Sequence, residues 1–220
     1  MYLLISNAIV QHTSFHVTPP QTSEQAVLQL AQKHPLLRAR DVVQAGLPTV
    51  VLTRLVSAGK LERVGRGVYS LPNQPISENR SLAEVAIRVP RGVVCLASAL
   101  NVHEIGTQLP HAVWLALPRQ TVSPRIDSPS LRIIRMSGSS LIEGIDKFVA
   151  DGVEVRVFNP AKTVADCFKF RNKIGLDVAL EALQDGWRKR RFTMDELWRF
   201  AVVNRVANVM RPYLESVATS

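Results

Sequence analysis

LRARDVVQAGLPTVVLTRLVSAGKLERVGRGVYSL, residues 37–71, divides into two short helices and a hairpin. Arg38–Ala45 has the composition of a helix, with Val42 and Val43 as its apolar contacts. Gly46 closes it, because glycine accepts the left-handed backbone found at helix C-termini. Pro48 restarts a helix in its first turn, where a missing N–H costs nothing. Leu52, Leu55 and Val56 then recur at three- and four-residue spacing, which places them on one face, and Gly59 ends the helix. Two extended runs follow, Leu61–Val64 and Val68–Leu71, around the tip Gly65-Arg66-Gly67.

This is the element order of a winged helix-turn-helix. In such a fold the face of the second helix turned away from Leu52 and Leu55 enters a DNA major groove, here with Thr49, Val50, Thr53 and Arg54. Arg54 is suited to guanine or phosphate, and the threonines to base edges or backbone. Lys60, Arg63 and Arg66 add cations beside and on the hairpin, Arg66 at the tip being placed for phosphate or a minor groove. The competing reading is a helical hairpin and β-ribbon that caps a core, its arginines merely solvated.

The 220-residue chain carries 27 Lys/Arg against 18 Asp/Glu, a net charge of +9 that favours a polyanionic partner. Residues 1–75 hold seven Lys/Arg and three Asp/Glu, so cation excess is densest around the predicted DNA reader. Apolar residues make up 46% and charged residues 20%, a globular balance with chain enough for one or two domains. Cys95 and Cys167 lack metal-type spacing, and a reduced chain without a disulfide framework is expected. Residues 1–10 have no basic leader region and are too short to span a membrane, so a cytoplasmic protein is expected.

Residues 1–21 read as a flexible N-terminal arm, and residues 22–72 as the DNA-binding domain. Thr22 with Gln25 forms a capping-box pattern that opens a first helix, with Val27, Leu28 and Ala31 facing inward. A turn-rich linker follows Leu71, and residues 76–220 form a mixed α/β domain with C-terminal helices. The fold class is thus α+β. In the second domain, residues 81–89 read as a helix with Leu82, Val85, Ala86 and Val89 inward, and residues 93–100 as a buried apolar run. A helix over 97–102 carries His103 to the surface or to a hydrogen bond. Strands are expected at 113–117, 131–136 and 153–158. Asn159-Pro160 opens a helix as cap and first residue, and Thr193 with Glu196 opens another.

Residues 52–69, LTRLVSAGKLERVGRGVY, resemble the helix-to-wing signature of the AbiEi family of antitoxins, from type IV (abortive infection) toxin–antitoxin systems. Ala97-Ser98-Ala99-Leu100, Pro118-Arg119 and Asn159-Pro160-Ala161-Lys162-Thr163-Val164-Ala165-Asp166 extend the resemblance. It implies a winged helix that represses its own operon at repeated DNA sites; a single module buries little surface on DNA, so a monomer or dimer with cooperative DNA binding is expected. It also implies a C-terminal domain that counteracts a cognate nucleotidyltransferase toxin. Thr53, Arg54, Arg63 and Arg66 are carried over as DNA contacts, with Thr49 and Lys60 added from the spacing. The helix opens on Pro48-Thr49-Val50-Val51, where the family often has polar or basic residues.

Other chemistry finds less support. Glu154-Val155-Arg156 on a strand, with Asp127, Asp146 or Asp151 upstream, has the outline of an acidic metal site, but arginine is a poorer general base than lysine. Gly138-Ser139-Ser140 is not followed by the paired-aspartate strand of a nucleotidyltransferase, and His103-Glu104 lacks the second histidine of a zincin helix. No catalytic residue, metal site or cofactor is assigned, and an enzyme is not expected. The run Arg188-Lys189-Arg190-Arg191 reads as a solvated helix end, an auxiliary nucleic-acid patch or a docking surface for an acidic partner. The alternative to an antitoxin is a winged-helix regulator whose C-terminal domain senses a ligand or mediates assembly. A metal-dependent nuclease using Glu154 is the remote one.

Overall fold

Local signals set the helix ends. Thr22 Oγ1 accepts from Gln25 N at 3.3 Å while Thr22 N donates to Gln25 Oε1 at 3.1 Å, so the reciprocal cap forms and α1 runs Ser23–Lys33. The computed structural model describes residues 22–74 and 77–218; the arm expected over 1–21 lies outside the described residues. Two compact units result: residues 22–33 with 37–72, and residues 34–36 with 73–218. The whole is α+β.

In the first unit α1 is followed by β1 (Leu37–Arg38), α2 (Ala39–Gln44), α3 (Val50–Ser57), β2 (Glu62–Gly65) and β3 (Val68–Ser70). The strands form one antiparallel sheet in the order β1-β3-β2. Both short helices end as expected from their glycines. Gly46 and Gly59 adopt φ +73° and +66°, and after α3 Gly59 N donates to Val56 O while Lys60 N donates to Leu55 O, closing the last turn.

Three expectations need correction here. Arg38 is not helical but extended, pairing with Val68, and its guanidinium forks onto Asp41 at 2.7–3.0 Å. Burial alone would raise the Asp41 pKa, but the hydrogen bonds and charge of Arg38 outweigh it and hold the carboxyl below its usual value. Pro48 lies ahead of the helix rather than in it. Its carbonyl and that of Thr49 accept from Val51 N and Leu52 N, a tight three-residue turn that leads into α3. Val43 is 59% exposed while Val42 is buried, since a helix of six residues turns only a narrow stripe onto the core. That core comprises Val27, Ala31, Leu37, Val42, Val51, Leu52, Leu55 and Leu61.

The second unit holds a five-stranded mixed sheet in the order β6-β5-β4-β8-β7. Its strands are β4 (Val93–Val94), β5 (Val113–Pro118), β6 (Leu131–Met136), β7 (Ile145–Ala150) and β8 (Val153–Phe158). β4 pairs antiparallel with β5 and parallel with β8, β5 parallel with β6, and β7 antiparallel with β8. β5, β6 and β8 fall where the sequence places them. β7 does not appear in the sequence reading, because Asp146 and Lys147 interrupt its apolar pattern. The signal that could have found it is Asp151-Gly152 at φ +48° and +76°, a two-residue hairpin turn between Ala150 and Val153.

The helices are α4 (Arg80–Arg88), α5 (Leu96–Val102), α6 (Ser139–Ile142), α7 (Pro160–Lys169), α8 (Arg171–Ile174), α9 (Leu176–Arg188), α10 (Met194–Val203) and α11 (Ala207–Ala218). On α4 it is Ala83, rather than Ala86 or Val89, that joins Leu82 and Val85 in being buried. One large apolar cluster joins Val93, Trp114, Ala116 and Phe158 of the sheet to Leu100, Val164, Phe168, Leu183 and Phe200 of the helices. α7 lies at its centre, with every residue from Ala161 to Phe168 buried. Asn159 Oδ1 accepts from Lys162 N at 2.9 Å, so Asn159 caps α7 with Pro160 as its first residue. Thr193 and Glu196 reciprocate at the start of α10 in the same way, at 2.8 and 3.2 Å. Cys95 and Cys167 are free thiols buried in this cluster. No helix among the described residues is long and apolar enough to cross a membrane.

Candidate nucleic-acid interface

α3 is amphipathic in the sense its spacing requires. Val51, Leu52 and Leu55 are buried, and Thr49, Val50, Thr53 and Arg54 are all exposed. Val51 joins the apolar stripe, one position beyond the residues singled out from periodicity. Thr49 has helical backbone angles and its side chain makes no capping bond, so among the described residues its hydroxyl is not committed to the helix end.

The cations of this unit are not equivalent. Arg54 and Arg66 are exposed and form no ion pair among the described residues. Lys60 Nζ stands 3.9 Å from Glu24 Oε2, at the limit of an ion pair, with both side chains about half exposed. Arg63 Nε donates to Gly65 O at 3.4 Å, folding the side chain back along its own strand. The turn itself is Arg66-Gly67, with Gly67 at φ +69° and a register shift between Arg63 and Gly65 that twists the ribbon. Arg40, exposed near the start of α2, is a further cation that the spacing argument passed over. A rule that every exposed Arg on the two short helices be counted would have found it.

The basic run at residues 188–191 is largely tied down. Arg188 Nη2 bonds Asp185 Oδ1 at 2.5 Å, Lys189 Nζ bonds Asp185 Oδ2 at 2.8 Å and Glu104 O at 2.7 Å, and Arg191 Nη2 bonds Glu104 Oε2 at 3.1 Å. Arg190 forms no ion pair among the described residues. Asp185 also accepts from Gly106 N at 2.8 Å. The hydrogen bond from Lys189, with those of Gly106 and Arg188, outweighs burial and brings the Asp185 carboxyl down to about 2. A carboxyl depressed in the folded state adds stability above its unfolded value near 4, and that contribution is lost as pH falls toward 2. Asp185→Asn is therefore expected to flatten the fall in melting temperature between about pH 4 and pH 2. Parallel melting curves for variant and wild type across that range would refute it.

The remaining motifs turn out to be scaffold. Glu154 Oε1 pairs with Lys147 Nζ at 2.9 Å across the exposed β7–β8 hairpin. Among the described residues no three His, Cys, Asp or Glu side chains gather as a metal site. His103 is half-buried, its Nε2–H donating to Phe158 O at 2.7 Å. Burial pulls its pKa below the usual value, against the opposing effect of that bond. Ser98 Oγ accepts from Trp114 N at 3.0 Å, tying α5 to β5.

Lys162 and Asp166, from the Asn159–Asp166 motif, are fully buried and bond at 2.5 Å. Asn204 Nδ2 donates to the same Asp166 oxygen at 2.7 Å, and Asn204 Oδ1 accepts from Ser140 Oγ at 3.1 Å. Lys169 Nζ in turn donates to Ser140 Oγ at 3.0 Å. Ser140, in the glycine-serine turn, therefore serves a buried network. Burial pushes the Asp166 carboxyl up, with Lys162 pulling it back.

Comparison with known proteins gives three findings. The fold resembles the crystal structure of the RV2827C protein from Mycobacterium tuberculosis, with a TM-score of 0.59 at 15% identity over 82% of this chain and 71% of that one. No curated protein matches the chain. A family described as transcriptional regulator, AbiEi antitoxin, matches residues 25–72, the three helices and hairpin just described. Over residues 25–72 the chain is thus similar to the AbiEi antitoxin family of transcriptional regulators.

Proposed function

We propose that this protein is a DNA-binding antitoxin that represses its own operon through residues 22–72, folded as a winged helix-turn-helix. In this reading α3 is the recognition helix and the β2–β3 hairpin is the wing. The observation that carries it is the division of α3 into a buried Val51, Leu52, Leu55 stripe and an exposed Thr49, Val50, Thr53, Arg54 face. Such a helix has its apolar side spent on the core and a polar, cationic side free for a groove. Arg54 addresses guanine O6 and N7 or a phosphate, Val50 offers an apolar contact to a thymine methyl, and Thr49 and Thr53 bond base edges or backbone. Arg66 at the hairpin tip, with Arg63 and Lys60, meets the sugar–phosphate backbone. Arg40 at the start of α2 is a further phosphate contact, since the first helix of the motif crosses the backbone.

Residues 76–220 then form the domain that counteracts a nucleotidyltransferase toxin, and no catalysis is assigned to it. One module covers little DNA, so tight binding calls for a dimer or for cooperative loading on repeated sites. The test is binding of the full chain to the DNA upstream of its own gene, against a scrambled duplex, across a salt series. Specific binding whose affinity falls steeply with salt is expected. Equal, weak binding to both duplexes would remove the DNA reading. Co-expression with a neighbouring nucleotidyltransferase tests the antitoxin half, with rescue from toxicity expected even when Arg54 and Arg66 are replaced.

A further inference from the structure

The C-terminal unit contains a cleft of about 950 Å³ between the end of α9, the start of α10 and the end of α11. That is the upper end of the range for small-molecule sites. Its walls include Trp187, Phe192, Met194 and Val217, and its rim carries Arg188, Arg190 and Arg191. The rim is therefore strongly cationic over an aromatic and aliphatic floor. Among the described residues Glu196 is the one acid lining the cleft, and its carboxylate is turned onto Thr193 N and Oγ1 at 2.8 and 3.0 Å.

From this we propose that the cleft binds a nucleoside phosphate, the base against Trp187 and Phe192 and the phosphate on Arg190. Of the three rim arginines Arg190 alone has no carboxylate partner among the described residues, so its guanidinium is available for the two-point bonding that suits phosphate. Arg188 and Arg191 stand beside it, held by Asp185 and Glu104, and add positive potential. Lys189 is drawn away to Asp185 and Glu104 and does not line the cleft.

The frame is rigid. A Cβ at Gly186 would stand 2.5 Å from the Phe192 ring, so the ring lies directly on the α9 backbone. Arg190 N donates to Trp187 O and Arg191 N to Gly186 O, which locks the turn that carries the arginines. Arg190 holds φ +54°, the left-handed position that Gly46 and Gly59 occupy at the ends of α2 and α3 and that Glu104 and Arg205 occupy elsewhere. Glycine therefore fits the Arg190 backbone without strain, and Arg190→Gly removes the guanidinium while leaving the fold intact.

The inference does not rest on DNA binding and is tested without DNA. Calorimetric titration of the full chain with ADP is expected to show one saturable site per chain. Adenosine and pyrophosphate, each offering half of the chemistry, are expected to bind at least about tenfold more weakly. Arg190→Gly should weaken ADP by about tenfold or more with a melting temperature no lower than wild type. Absence of saturable ADP binding would overturn the proposal. So would pyrophosphate binding as tightly as ADP, which is the behaviour of a plain cationic patch, or an unchanged ADP affinity in Arg190→Gly.

Discussion

Replacing Asp166 by alanine is expected to destabilise the C-terminal unit by about 3–5 kcal/mol, because it strands a buried ammonium. Lys162 is wholly buried on α7, with its Nζ 4.2 Å from the centre of the Phe158 ring and Asp166 as its only ion-pair partner among the described residues. The ring face offers partial compensation, far less than a carboxylate supplies. Asn204 Nδ2 would also lose its acceptor. For a domain of this size the loss corresponds to roughly 6–20 °C in melting temperature. The double variant Lys162→Met/Asp166→Leu removes both charges and keeps the volume, and is expected to recover most of that loss. Among the described residues Asp166 Oδ2 has no hydrogen-bond partner, so the polar arrangement is already incompletely satisfied and an apolar one has little to surpass. An Asp166→Ala protein melting within about 2 °C of wild type would show that the pair does not hold the core together.

The second large effect is on DNA. Arg54→Ala is expected to weaken binding to the upstream site by about 10- to 100-fold, the value of one bidentate arginine–guanine contact, with a much smaller change on scrambled duplex. Arg66→Ala should weaken both duplexes alike and flatten the salt slope by about one unit, as one lost phosphate contact does. The two residues lie on separate elements, and their losses are expected to add to roughly 10²–10³-fold in the double variant. Fluorescence anisotropy at several salt concentrations separates the two roles. If Arg54→Ala lowered both duplexes equally, α3 would be a backbone clamp, and base reading would fall to Thr49, Val50 and Thr53. If neither variant changed binding, the first unit would not be the DNA reader.

Much of the first unit is legible from sequence because its determinants are local. A cap such as Thr22 with Gln25, or Thr193 with Glu196, joins residues three apart and reads directly. The glycines that end α2 and α3 act through their own backbone, and the face of α3 follows from a period of 3.6 residues. β1 is not legible in this way. Leu37-Arg38 is a strand only because Val68 and Tyr69, thirty positions on, supply its partners.

Tertiary structure decided the rest. Lys162 and Asp166 are four apart on a helix, a spacing that says nothing of burial; α5, α9 and α10 close around α7 and make them a fully buried pair that is costly to break. Arg188–Arg191 reads as a solvated helix end, a nucleic-acid patch or a docking surface, yet Asp185 and the distant Glu104 engage three of its cations and leave Arg190. The cleft beside it draws on residues 184–196 and 216–217, segments well separated along the chain. Sequence by itself determined where the capped helices α1, α7 and α10 start, where glycines end α2 and α3, and which face of α3 is polar, since those depend on neighbours within about one helical turn. Which charges are buried, which are neutralised and which remain available to a ligand depends on groups many tens of residues away, and only the folded chain brings those together.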